Sequence, residues 1–304
     1  MVESKSCDLS HLTPAARAAA SLPDDERIRR IRADRWIGYP RAREALVRLD
    51  ALLQGPQKQR MPNLLIVGPT NNGKSMIVEK FRRSCLRESS PSSERETLPV
   101  LVVQMPSEPS IIRFYAMLLA GMGAPLRPRS RVAELEQLAL RMMRAVGARV
   151  LIIDELHNSL AGKSDARREF LNLIRFLGNE LRVPIVGVGT REAYLAVRAD
   201  EQLENRFEPI ILPVWEEGET TCSLLASFVT SFPLRCRSES ATPDLARYIL
   251  VRSEGTIGEI SRLVTAAAVA AIETGEEAIN HKTLTLAGYE SPTERRCAFE
   301  RELR

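Results

Sequence analysis

Cysteine is sparse in this 304-residue chain, and what there is does not pair. Cys7, Cys85, Cys222, Cys236 and Cys297 are odd in number, scattered and free of CxxC spacing. That pattern argues against a disulfide framework or a zinc site and fits free thiols in a reducing cytoplasm. Three isolated histidines add nothing toward a metal centre. No apolar run approaches the roughly 18 residues a membrane span needs, so no membrane is expected. The opening MVESKSCDLSH lacks the apolar core of a secretory signal, so a cytoplasmic location is expected. Repeats and low-complexity segments are missing too. Charge is nearly balanced: a net +4 and a pI of about 8.9 permit an anionic partner without demanding one.

What is present describes an ordinary globular protein, with 44% hydrophobic and 27% charged residues. The length allows one domain of ordinary size plus a smaller second one. Residues 1 to about 35 are polar, charged and alanine-rich, and read as a loosely packed arm. Ala42–Leu53 carries apolar residues at helical spacing. Short apolar runs at Asn63–Gly68, Pro99–Gln104, Ala148–Ile153, Val183–Val188 and Pro209–Leu212 read as buried strands. Helical patterns separate them, at Ser75–Cys85, Ser110–Leu119, Val132–Val146 and Asp165–Leu181. Such alternation implies a parallel sheet covered on both faces. Arg87–Thr97 reads as a polar, serine-rich loop.

After Pro213 strand-like runs cease. Helices are expected at Cys222–Phe232, at Pro243–Ser253 with Thr242 as its cap, and at Thr256–Thr274, followed by a short one after Asn280. Thr256 and Glu259 have the spacing of a capping box, and Gly275 that of a helix stop. The expected boundaries are an arm over residues 1–35, an α/β core over 36–214, a small helical region over 215–285 and a tail over 286–304.

Gly68-Pro69-Thr70-Asn71-Asn72-Gly73-Lys74-Ser75 fits GxxxxGK[ST] without a mismatch, and it lies between an expected strand and an expected helix. Its glycines let backbone N–H groups and the helix start, with Met76 in the first turn, face an anion. Lys74 is placed to reach the β- and γ-phosphates of ATP, and the Ser75 hydroxyl to hold magnesium. About eighty residues on, Val150-Leu-Ile-Ile-Asp154-Glu155 delivers two carboxylates to a strand end. Asp154 is expected to bind magnesium through water, and Glu155 to act as general base on the attacking water.

These motifs resemble the AAA+ ATPases. The resemblance implies an α/β fold: a P-loop NTPase core with a five-stranded parallel sheet flanked by helices, plus a small C-terminal α-helical lid. Thr190, at the end of the fourth run, matches the position called sensor 1. Arg206 precedes the last strand, where this class carries an arginine finger supplied in trans to a neighbouring subunit's ATP. Ile37 and Gly38 stand where the class keeps its adenine-side contacts, beside Trp36 and Tyr39. The familiar arginine of the lid falls on Gly258 here, and Arg262 is the substitute one turn later.

A narrower resemblance rests on WIGYPRA, RMPNLLIVGPTNNGKSMIVEKF, LIIDELHN and PIVGVGTREA, running from about Arg35 to near Leu263. These stretches look like the TniB family of transposition ATPases, related to TnsC. The resemblance implies assembly on duplex DNA with ATP, as a homo-oligomeric ring or helical filament. It also implies a link between a TniQ-type target-selection protein and a DDE-type transposase, without cutting or joining DNA. No DNA contact carries over residue by residue. On charge alone, Arg27, Arg29, Arg30, Arg32 and Arg35 form one candidate phosphate-contacting cluster, and Arg127, Arg129 and Arg131 another. A helicase-loader or initiator-like ATPase and an ATP-gated scaffold with negligible turnover stay open as alternatives.

Overall fold

From the N-terminus the chain forms two short helices, α1 (Pro14–Ala19) and α2 (Asp24–Arg32), and then a longer one, α3 (Pro40–Gln54). Strands and helices follow in alternation: β1 (Asn63–Val67), α4 (Lys74–Glu88), β2 (Val100–Gln104), α5 (Ile111–Gly121) and α6 (Val132–Ala145). Next come β3 (Val150–Asp154), α7 (Ser164–Leu181), β4 (Ile185–Gly189), α8 (Arg191–Arg198), α9 (Glu201–Glu204) and β5 (Phe207–Ile211). The rest is helical: α10 (Glu219–Ser231), α11 (Pro243–Ser253), α12 (Ile257–Glu273), α13 (His281–Leu286) and α14 (Pro292–Glu302). This computed structural model describes residues 8–88, 97–125, 130–160, 164–238 and 242–303. Arg127, Arg129 and most of the serine-rich loop lie outside the described residues.

The chain divides into two units, one spanning Pro40–Pro213 and the other joining the residues through Tyr39 to those from Val214 onward. In the first, all strand pairs are parallel and the order is β2-β3-β4-β1-β5. β1 and β4 are buried along their whole length, which is why their sequences read as unbroken apolar runs. β5 is an edge strand, and it pairs with β1 from Phe207, two residues earlier than its apolar run indicates. Pro209 fits there because an edge strand leaves one side of its backbone without ladder bonds. One face of the sheet packs on α5, α6 and α7 through Phe114, Leu118, Leu135, Phe170, Ile174 and Leu177, all buried. Phe114 meets Phe170 edge-on at 5.3 Å. Each of these side chains gains roughly 1.5–3 kcal/mol from leaving water.

The second unit centres on α12, whose Ile260, Leu263, Val264, Ala267, Ala268 and Ala271 are fully buried. Residues 14–32, expected as part of a loosely packed arm, instead form α1 and α2, and Ile31 and Arg27 are both 1% exposed. Arg27 was misread because a buried arginine needs a carboxylate that only tertiary structure supplies. Its guanidinium donates to both carboxylate oxygens of Glu277 at 2.7 and 2.6 Å and to the Pro233 carbonyl at 3.0 Å. Arg35 is taken up similarly, donating to the carbonyl and hydroxyl of Ser231 and lying 4.5 Å over the Phe232 ring. Two members of the N-terminal arginine cluster are therefore structural.

The expected capping box at Thr256 does not form: its hydroxyl makes no cap hydrogen bond. Glu259 is instead 5% exposed and accepts from the Tyr289 hydroxyl at 2.9 Å and from Arg295 at 2.9 and 3.2 Å. The residues expected as a tail include α14, opened by a reciprocal cap between Ser291 and Glu294. No single helix among the described residues is long and apolar enough to cross a membrane.

Candidate functional site

The loop after β1 is shaped by what surrounds it. A Cβ on Gly68 would lie 2.8 Å from the Leu212 carbonyl oxygen, so only glycine lets β1 end this close to the end of β5. Asn71 and Gly73 take positive φ values of 59° and 81°, which curl the chain back toward its own start. Asn72 is 2% exposed and clamps the turn, donating to the carbonyls of Leu212 at 3.0 Å and Pro213 at 2.8 Å. Met76, also expected at the site, lies in the first turn of α4 and is 40% exposed.

Lys74 opens α4 and turns its ammonium inward, donating to the carbonyls of Gly68 at 2.9 Å and Pro69 at 2.6 Å. Burial lowers its pKa from the ordinary lysine value, and the nearby Glu155 and Asp154 carboxylates oppose that shift. A cation held in this way gains from an arriving anion, which would restore the solvation that burial removed.

β3 delivers Asp154 to the same end of the sheet. One carboxylate oxygen accepts from the Ser75 hydroxyl at 2.8 Å, and the other from the Glu155 backbone N–H at 2.8 Å. The second bond holds Glu155 at φ 55°, a left-handed conformation that costs a non-glycine residue on the order of 1 kcal/mol. That turn redirects the Glu155 side chain, which stands 3.1 Å from His157 Nε2. Ser75 and Asp154 together present hard oxygen ligands of the kind magnesium selects. Among the described residues no cluster of three or more His, Cys, Asp or Glu side chains suits a metal by itself. A magnesium ion here would take its remaining ligands from water and from any phosphate bound beside it.

β4 lies between β1 and β3. Thr190 follows it at the N-cap position of α8, where its hydroxyl makes no cap hydrogen bond and donates instead to the Glu192 carboxylate. A pocket of about 600 Å³ opens beside the loop, lined by Gly68, Pro69, Thr70 and Thr190 with Tyr194, Ile211 and Leu212. The structure thus brings together the phosphate loop, Lys74, Ser75, Asp154, Glu155 and Thr190 at the C-terminal strand ends, where open α/β sheets bind ligands.

Arg206 is not among them. Its carbonyl accepts from Asn63 N at 2.9 Å, which fixes it at the N-terminal end of β1 and β5. The five-residue length of β1 puts it about 16 Å from the phosphate loop, at roughly 3.3 Å per residue. Its guanidinium donates to Asn179 at 2.8 Å. Ile37, Gly38 and Arg262 belong to the helical unit. There Arg262 reaches Glu259 at 3.4 Å and is 57% exposed. Tyr39 packs edge-on against Trp215 at 5.0 Å, and burial pushes its hydroxyl up to about 12. Motif reading missed the roles of Asn72, His157 and Glu192. The side-chain contacts that define those roles leave no spacing signal in the sequence.

The family described as bacterial TniB protein matches residues 27–217. No curated protein matches the sequence. Among solved structures, the Aeropyrum pernix ORC1 protein in complex with DNA aligns with a TM-score of 0.64 at 16% identity, over 86% of this chain and 68% of that one. Drosophila ORC bound to DNA gives 0.61 at 14%, over 88% and 66% respectively. The Thermotoga maritima RuvB Holliday junction branch migration motor gives 0.51 at 17%, over 85% and 72%. At such identities the likeness speaks for the fold, the AAA+ P-loop architecture with its five-stranded parallel sheet and helical C-terminal region. With that fold in place and well over half of its length matched, the chain belongs to the TniB family.

Proposed function

We propose that this protein binds and hydrolyses ATP with magnesium, and that it uses the cycle to assemble on duplex DNA during transposition. The observation that carries the catalytic part is the convergence of Lys74, Ser75, Asp154 and Glu155 on one loop. In this reading the ATP phosphates replace the Gly68 and Pro69 carbonyls as acceptors for Lys74, and the loop's N–H groups and the α4 N-terminus cradle them. Magnesium, when bound, neutralises charge on the β- and γ-phosphate oxygens, and Ser75 and Asp154 are the residues that would hold it. Glu155 orients a water in line with the γ-phosphorus and takes its proton as the bond to the ADP oxygen breaks. Thr190 lines the pocket beside the loop and is assigned to sensing the γ-phosphate. Arg262, Ile37 and Gly38 are assigned to the nucleotide from the helical unit.

Arg206 lies too far from its own phosphate loop to contact the ATP bound there. We assign it to the ATP of a neighbouring subunit, in a head-to-tail homo-oligomer that closes as a ring or runs on as a helical filament. Family membership supports assigning a DDE-type transposase and a TniQ-type protein as its partners, and the scattered, odd-numbered cysteines support a cytoplasmic setting. Repeating a modest basic surface along such an oligomer turns weak phosphate contacts into tight, salt-dependent binding.

The test is DNA binding by fluorescence anisotropy with ATP, a slowly hydrolysed analogue, ADP or no nucleotide, followed by electron microscopy. Binding and assembly are expected with ATP and the analogue only. ATP-independent binding by a monomer, or no binding at low salt with any nucleotide, contradicts the reading.

A further inference from the structure

A pocket of about 560 Å³ lies at the N-terminal end of β1 and β5, and Lys58, Arg60 and Arg206 line it. The rest of its lining, Met61, Pro62, Gln202 and Asn205, carries no carboxylate. That composition stands out against the surrounding surface, where arginines are neutralised locally. Arg48 pairs with Glu208 at 3.0 Å, Arg144 with Glu180 at 2.6 Å and Arg198 with Glu204 at 3.1 Å. Among the described residues neither Lys58 nor Arg60 makes an ion pair, and the Arg206 guanidinium bonds only the neutral Asn179. The short lead into β1 is pinned by the buried Met61, whose sulfur accepts from the Lys58 N–H at 3.1 Å. Three cations are thus held around one concavity with no counter-charge of their own.

The opposite end of the same strands carries the phosphate loop with Asp154, Glu155 and Glu192 nearby. A bound triphosphate would add negative charge at the phosphate-loop end of the sheet, and the carboxylate-free cationic pocket lies at the other end of β1. Stacked head to tail, the cationic pocket of one subunit meets the phosphates of the next.

We propose that Lys58 and Arg60 join Arg206 as a three-cation receptor for the triphosphate held on the neighbouring subunit's phosphate loop. The proposal rests on the assignment of Arg206 in trans. Lys58 and Arg60 bind the spread charge on the phosphate oxygens, Arg206 meets the γ-phosphate, and the set makes subunit contact depend on ATP. A charge-assisted hydrogen bond of this kind corresponds to roughly ten- to a hundredfold in rate or affinity.

The experiment compares phosphate release by full-length protein, at concentrations where wild type assembles, for K58Q/R60Q, the charge-keeping K58R/R60K, and R206A, each alone and mixed with E155Q. Light scattering follows assembly in the same samples. K58Q/R60Q alone is expected to lose about tenfold or more in turnover, K58R/R60K to keep most of it, and the K58Q/R60Q–E155Q mixture to regain part of it. The E155Q subunit supplies intact cations to an intact catalytic loop in that mixture. Wild-type turnover by K58Q/R60Q overturns the proposal, as does a loss that mixing does not restore while R206A with E155Q does recover. No recovery in the R206A mixture removes the trans assignment itself, so the two failures are told apart. Loss of duplex DNA affinity by K58Q/R60Q with turnover intact would assign the pocket to nucleic-acid phosphate and also overturn it.

Discussion

The two units of this protein use their charged residues in opposite ways. In the α/β unit the buried strand residues are apolar except for Asn63, which accepts from the Ile185 N–H, and the charges that matter sit at strand ends: Lys74, Asp154 and Glu155 at one, Arg206 at the other. In the helical unit the charges go inside. Arg27 and Glu259 are both nearly inaccessible, each holding segments distant in sequence, Arg27 to Glu277 and Glu259 to Tyr289 and Arg295. The difference teaches that a charged residue's role follows from what lies across from it. The sign and density of charge along the chain do not reveal it.

The sharpest separation between the units comes from the phosphate loop. Lys74→Ala is expected to abolish ATP binding in a fluorescent-nucleotide titration while leaving the melting temperature without nucleotide near wild type. Glu155→Gln keeps binding but lowers phosphate release by about 10²–10⁴-fold, the range for loss of a general base. Wild-type turnover in that variant would show that another group activates the water.

Arg27→Ala tests the other half of the comparison. Removing it leaves Glu277 without its partner, and breaking a buried pair costs roughly 3–5 kcal/mol. Denaturant unfolding should register that loss while nucleotide affinity at the phosphate loop changes little. A stability change within about 0.5 kcal/mol, the usual scale for surface substitutions, would mean that this pair does not hold the helical unit.

The smallest effect concerns a charge in the α/β unit that is only structural. Hydrogen bonds from Arg82 and then Arg83 lower the Glu79 carboxyl from 4.5 to about 2. A depressed carboxyl stabilises the fold at pH above its unfolded value and loses that contribution as pH falls from about 4.5 toward 2. Glu79 is a third exposed, so solvent screening keeps the effect to roughly 1 kcal/mol or less. Glu79→Gln should remove that part of the acid dependence of unfolding and leave stability at neutral pH only slightly reduced. An unchanged acid profile would show that Glu79 pairs just as well in the unfolded chain.

The α/β unit was largely legible in the sequence because buried parallel strands are written as apolar runs, and a phosphate loop needs glycine and lysine at fixed spacing. The helical unit was legible only where a local signal existed, as at Pro243 and Gly275. Arg27 read as a candidate phosphate contact because its partner lies 250 residues away. Glu259 read as a cap because Tyr289 and Arg295, which claim it, follow at no fixed interval. Asn72 was found as a member of the loop, but its clamp on Leu212 and Pro213 depends on where β5 ends. Short α8 and α9 carry too few turns to show a helical period.

The central claim is that catalysis needs both ends of the sheet, drawn from different subunits. Phosphate release from mixtures of Arg206→Ala and Glu155→Gln proteins tests it most directly. Each variant alone is expected to be nearly inactive, Arg206→Ala by about 10³–10⁵-fold. Mixed assemblies should recover activity at the shared interfaces that pair an intact Glu155 with an intact Arg206. Mixed assemblies that form, yet stay inactive at every ratio, would contradict the account.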